Sequence, residues 1–289
     1  MRSRLPARKT LAQALTANWL IIMASVAGTA MGSASAHAAD EDYTTSTQDA
    51  KGSKWSVLVG GGGAYAPDYE GSDDYEFQPF PFVSIVYDDF IFIEGTSLGI
   101  NLLDFEGPLG DDNIKTGPIA RYGFGRDEDD NNALDGLGDV DDSIEVGGFL
   151  KYQVGIWAAG LTVVQDVGGG HDGLLAEAST GISVPITEEL RSSIEASTSW
   201  ADSNYMDTYF GISSAQSAKS GLDQFDADAG FKDVAVTLGL DYMLTESIDL
   251  SGRAQYKRLV GDAAASPIVE DEGSADQFFG GLFLTYRFR

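Results

Sequence analysis

No cysteine occurs among the 289 residues, which excludes disulfides, thiolate nucleophiles and cysteine metal sites. Positive charge is scarce as well: 18 Lys and Arg stand against 45 Asp and Glu, a formal charge of −27. Phosphate binding needs clustered cations, so nucleic acid is excluded as a partner. Histidine occurs only twice. Past the first 38 residues no apolar run reaches the ~20 residues of a membrane-spanning helix. What the chain does have is 35 glycines, 15 phenylalanines and 12 tyrosines, an unusual supply for an acidic protein.

The N-terminus reads as an export signal. Arg2, Arg4, Arg8 and Lys9 precede an apolar stretch at 19–30, which leads into small residues ending Ala36-His37-Ala38. Basic region, apolar region and A-x-A site occur in secretory order. Cleavage is expected after Ala38, with Ala36 as the second choice. Losing four basic residues takes the formal charge from −27 to −31. Residues 39–53 are polar and aperiodic, a flexible lead-in. Residues 54–289 then form one domain.

In that domain the period is two. Val234, Val236, Leu238, Leu240 and Tyr242 alternate with Ala235, Thr237, Gly239 and Asp241. Segments 144–152, 190–200 and 248–256 behave alike, whereas a helix would need a period near 3.6. A soluble sandwich also alternates, but its strands are typically ~5–6 residues. These segments approach the ~9–11 residues of a tilted membrane strand. Aromatics at their ends (Trp55, Tyr65, Trp157, Trp200, Tyr242, Tyr256, Tyr286) suit interfacial girdles. The expected fold is all-β, a transmembrane antiparallel up-and-down β-barrel of about 12 strands.

Connection lengths set the orientation. Short ones fall near 87–89, 154–155, 185–188 and 244–247, and long ones at 66–75, 125–143, 201–233 and 260–276. Splitting 90–103 near Gly95-Thr96-Ser97 gives an even strand count and puts all four long loops outside. The last strand ends with Leu284, Tyr286 and Phe288 on one face, the kind of segment that barrel-assembly machinery reads, although Arg289 follows the final aromatic. The partners expected from this reading are outer-membrane lipid, lipopolysaccharide and that machinery. The expected location is the outer membrane of a Gram-negative-type cell.

The polar face carries Glu145, Glu177, Glu195, Asp241 and Asp249 against Lys151, Arg191, Arg253, Lys257 and Arg287. One sign alone would suggest an ion-selective pore. The balance suggests internal ion pairs in a narrow or occluded, polar interior. The acidic run bearing Asp127, Asp129, Asp130, Asp135 and Asp139 could hold a hard cation. It fails as an EF-hand, with Asn132 at the glycine position and Gly138 where the bidentate Glu belongs. A solvated loop is the plainer reading. His171 beside Asp172 could serve as a general base, but neighbours on an extended strand point apart, and the flanking glycines suit a tight loop. Lys219-Ser220-Gly221 lacks the companion elements of a penicillin-binding site. Tyr205, Met206, Tyr209 and Phe210 either anchor a partner or fold inward as a plug, and Tyr69 is a further partner-contact candidate. No pattern here implies a catalytic residue, a cofactor or an enzyme.

From about Trp55 to Phe288 the chain resembles the MltA-interacting protein (MipA)/OmpV family. The resemblance rests on Ala66-Pro67-Asp68-Tyr69-Glu70-Gly71-Ser72-Asp73-Asp74, Gly125-Arg126, Leu134-Asp135-Gly136-Leu137 and Gly170-His171-Asp172-Gly173. Tyr205-Met206, Tyr209-Phe210-Gly211-Ile212, Ser220-Gly221, Gly261-Asp262 and Ser266-Pro267-Ile268-Val269 complete it. It implies a non-enzymatic outer-membrane barrel. The family's namesake is described as a scaffold joining a lytic murein transglycosylase to a bifunctional penicillin-binding synthase, and other members are linked to adhesion or antibiotic susceptibility. A scaffold of peptidoglycan metabolism is therefore the first functional expectation. A passive channel for small solutes is the alternative, and a surface adhesin the third.

Overall fold

The structure, a computed structural model, describes residues 54–110 and 112–288. The expected signal peptide at 1–38, the lead-in at 39–53 and Arg289 lie outside them. Thirteen strand segments follow in order: β1 (Trp55–Pro67), β2 (Tyr75–Tyr87), β3 (Ile91–Glu94), β4 (Ser97–Ile100), β5 (Leu103–Glu106), β6 (Asp112–Gly123) and β7 (Ser143–Val154). Next come β8 (Trp157–Asp166), β9 (Leu174–Pro185), β10 (Leu190–Ala201), β11 (Gly230–Thr245), β12 (Ile248–Leu259) and β13 (Asp276–Phe288).

Every neighbouring pair is antiparallel, and the ring closes where β1 meets β13, with Val57 opposite Phe288 and Tyr65 opposite Gly280. Both β4 and β5 pair with β6, at Ser97–Arg121 and at Leu103–Thr116. They are two halves of one stave, so the wall has the twelve staves expected. The break between them lies opposite Pro118, which has no N–H to give its neighbour. The split of 90–103 falls at Gly95-Thr96, where Gly95 (φ 56) supplies the turn conformation that side chains resist.

The period-two pattern sorts the side chains as its physics requires. Val234, Val236, Leu238 and Leu240 point outward, while Ala235 and Thr237 are buried inside. Leu284, Tyr286 and Phe288 face outward on β13. Aromatic bands sit near both ends. Trp55 packs on Tyr87 at one, and Tyr65 stacks on Tyr75, 5.4 Å between ring centres, at the other. The turns at 88–90, 155–156, 186–189 and 246–247 share one end with the start of β1 and the end of β13. The longer loops, 68–74, 124–142, 202–229 and 260–275, share the other. By the usual barrel arrangement the long-loop end is the outer one.

One expectation needs correction. The interior is not uniformly polar. Phe80, Phe279 and Phe283 cluster inside β1, β2 and β13, with Phe80 edge-on to the other two at 6.0 and 6.1 Å. Phe92 meets Phe149 in the same way. Strands apolar on both faces in this arc had masked an inner aromatic lining.

Candidate functional site

The outer loops fold into a dome that fills the barrel mouth. Its centre is α1 (Ser203–Phe210), started by Asp202, whose carboxylate accepts the Tyr205 N–H at 3.1 Å. Tyr205, Met206, Tyr209 and Phe210 share one flank and are all buried. They pack with Val140 of the 124–142 loop, with α3 (Gly261–Ala265) and with α4 (Pro267–Glu270). From the wall come Val164 of β8, Leu175 of β9, Ala201 of β10 and Leu259 of β12, and Ile119 of β6 packs against the cluster. Loops and opposite walls thus meet in one apolar core. Between α1 and α3, α2 (Ser214–Ser220) is capped by Ser213 and Gln216 and donates from Gln216 to the Leu137 carbonyl. A second cluster of Tyr69, Leu134, Leu137, Ile212 and Ile268 joins the four long loops.

These contacts decide between the two roles held open for the aromatic loop. Tyr69, Tyr205, Met206, Tyr209 and Phe210 form the plug and offer no exposed surface to a partner. Burial pushes the Tyr69 hydroxyl up to about 12, and it raises Tyr205 and Tyr209 as well, so all three remain neutral.

Buried charges tie the dome to the wall. Lys232 reaches Glu70 of the first loop at 2.6 Å and Asp233 at 2.9 Å, and Lys257 reaches Glu70 at 3.2 Å. Burial alone would raise the Glu70 pKa, but Lys232 and Lys257 hold it below the usual carboxylate range. Arg126 enters the dome and donates to the Tyr209 carbonyl at 2.9 Å, while Ser266 donates to the Phe210 carbonyl at 2.6 Å. Just beneath, Arg121 bonds Glu145 and, at 2.6 Å, Glu177. His171 Nε2 lies 3.1 Å from Glu145, while its Nδ1 accepts the Gly173 N–H. With Nδ1 accepting, Nε2 is the ring nitrogen that donates to the Glu145 carboxylate. Asp172 takes a positive φ of 51 and plays no part in orienting the imidazole.

The other expected wall pairs are met in part. Asp241 pairs with Arg253 at 2.8 Å, Asp249 with Arg287 at 3.3 Å, and Lys151 lies 3.8 Å from Glu94. Arg191 has no ion-pair partner among the described residues, and Glu195 is buried inside β10. Glu70, Glu94, Arg121, His171, Lys232 and Asp233 are the members that alternation did not reveal. A bulge where β10 shifts register against β11 turns both Lys232 and Asp233 inward.

Several acidic side chains of loop 124–142 cap their own turns. Among the described residues no group of three or more ligating side chains converges on a metal site. Asp127 and Asp130 cap the 3-10 turn Glu128–Asp130 reciprocally, and Asp139 accepts the Glu128 N–H at 2.9 Å. Asp135 caps the following turn, Asn132–Leu134, and Asp129 lies exposed. Burial pushes Asp130 up to about 6, helped by Asp127, Glu76 and Asp68 nearby.

A closed wall with lipid-type side chains outside, ion pairs and aromatics inside, and long loops at one end defines an outer-membrane β-barrel protein. The sequence matches the family model described as MltA-interacting protein MipA over residues 59–288, and the chain belongs to that family. Solved structures similar to it include the NanC porin (9% identity, 80% of this chain and 100% of that one, TM-score 0.42). Another is the COG4313 outer membrane channel from Pseudomonas putida F1 (11% identity, 82% and 96%, TM-score 0.41). A third is OmpT of Vibrio cholerae (8% identity, 81% and 97%, TM-score 0.39). No curated protein matches the sequence.

Proposed function

We propose that this chain is a non-enzymatic scaffold of the outer membrane, holding a murein hydrolase, and through it a penicillin-binding synthase, at the inner rim of the barrel. The family's name speaks of interaction with MltA, a lytic transglycosylase. The observation that carries the reading is the filled mouth: a barrel stoppered by a packed apolar core suits holding better than passage. Because the dome aromatics are buried, the contact falls to the short-turn end. Asp88, Asp89, Asp104, Glu106, Glu188 and Glu189 are exposed there. Such a rim would steer a basic partner surface toward it.

Crosslinking in whole cells followed by purification of the barrel should recover a murein hydrolase. Reversing charge at Glu188 and Glu189 to lysine should reduce that recovery while leaving the barrel folded. The passive-channel reading makes the opposite forecast in planar bilayers. Steady conductance from the intact protein would overturn the scaffold-only role. Export through a signal cleaved after Ala38 belongs to the same proposal, and N-terminal sequencing of the mature protein tests it.

A further inference from the structure

The wall is not equally tall all round. The β3–β4 hairpin is only four residues on each side, and its turn meets β2 at Val83, through the Gly95 N–H, and β6 at Tyr122, through the Thr96 carbonyl. Among the described residues β2 has no strand partner on that edge above Val83, whereas on its other edge it pairs with β1 all the way to Tyr75. Tilted strands leave a few residues unpaired at any rim. The shortfall here exceeds that stagger and leaves a gap on the order of 10 Å tall, two staves wide.

The sequence of β2 suits such a gap. Val83 directs its carbonyl to the hairpin, so Pro79 and Pro81, at the same parity, would direct their N–H groups there too. Proline has none. The unpaired edge has therefore lost two of the donors that would be stranded beside lipid, and it cannot template a full added strand. Behind the edge lie the buried rings of Phe80 and Phe82, Phe80 against Phe279 and Phe283, and outside lie the exposed Phe77, Pro79 and Leu98. Both sides suit a hydrocarbon chain.

The lintel has another character. Loop 124–142 crosses from β6 to the first loop, where Asn131 donates to Asp68 at 2.8 Å and Asp74 at 3.1 Å. With Glu76, Asp127 and Asp130 close by, the lintel is strongly acidic. It repels anionic headgroups and attracts cationic ones.

We propose that this gap is a lateral opening to the outer leaflet that takes single-chain amphiphiles with a cationic head. The head rests under the acidic lintel, and the chain slides across the β2 edge against Phe80 and Phe82. With the mouth stoppered along the axis, this is the route by which an apolar molecule reaches the lumen.

The test uses the full mature chain in phosphatidylcholine vesicles. A dodecyltrimethylammonium probe carrying a chain-end diazirine is photolysed, and the labelled residues are mapped by mass spectrometry. A dodecyl sulfate probe with the same diazirine serves as the comparison. Labelling should be several-fold denser on 77–83, including the inward Phe80 and Phe82, than on the opposite wall at 174–201. It should also be several-fold weaker with the sulfate probe. Asp74→Asn with Asp127→Asn should bring the two probes together. Even labelling around the wall overturns the opening. Equal labelling by both probes overturns the choice of head. The wild-type map needs no variant to fold.

Discussion

Replacing Phe210 with alanine should loosen the dome while leaving the wall intact. Phe210 is 1% exposed and packs at the centre of the plug, between α1 and the inner faces of the wall. Truncating a buried phenylalanine costs about 3–5 kcal/mol through lost burial and the cavity left behind. The wall's hydrogen-bonded ladder closes on itself without α1, so the loss falls on opening of the dome rather than on the barrel. Each ~1.4 kcal/mol is a factor of ten, so the open population should rise by about two orders of magnitude or more. Amide hydrogen exchange of the folded protein in detergent reads this directly. Amides of 203–210 and 261–270 should exchange about a hundredfold faster or more, those of β7 to β10 should hold their rates, and the boiled and unboiled gel bands should stay distinct. If the wall amides accelerate in step with the helices, dome and barrel are one cooperative unit and the reasoning fails. If nothing accelerates, the plug core is not what holds the mouth shut.

Arg121→Met would leave Glu145 and Glu177 facing each other without their shared guanidinium, at a cost of about 3–5 kcal/mol in a denaturant titration. Adding Glu145→Gln and Glu177→Gln should recover much of it. Asp130 titrates near 6 in the folded loop, above its ordinary value, so its ionised form opposes folding. The loop should therefore be most stable below the ordinary value of 3.8 and lose that stability as pH rises from there to about 6. Asp130→Asn should gain about 1 kcal/mol at neutral pH, after discount for its exposure, and flatten the pH dependence of exchange in 124–142. Gly62→Val would place a Cβ 2.0 Å from the Leu282 carbonyl oxygen on the closing strand pair. That variant should give little heat-modifiable barrel, and a normal yield would show that the seam tolerates widening.

Strand number, register face and the end that carries the loops were legible in the sequence because each follows from a local rule. Period two sets the face, as at Val234–Tyr242, and turn chemistry sets the hairpins, as at Gly95. The dome was less legible. Tyr205 and Tyr209 signalled importance, but the choice between partner contact and plug depends on where a 28-residue connection returns, which no local pattern encodes. The ion pairs divide in the same way. Asp241–Arg253 joins neighbouring strands and follows from the hairpin. Lys232–Glu70 joins residues 162 apart, and it depends on a bulge that breaks the alternation from which the strand was read. The inner phenylalanines went unseen as a lining because β2 is apolar on both faces.

The seam between β1 and β13 also bears on how the protein comes to exist. On the edge of β1 that faces away from β2, Val57 is met by Phe288, so the cylinder stays an open ribbon until the final strand arrives. Contacts so distant along the chain form slowly. Meanwhile greasy ribbon edges lie open to neighbouring molecules. A heavy surplus of carboxylates makes unfinished copies repel one another during that wait.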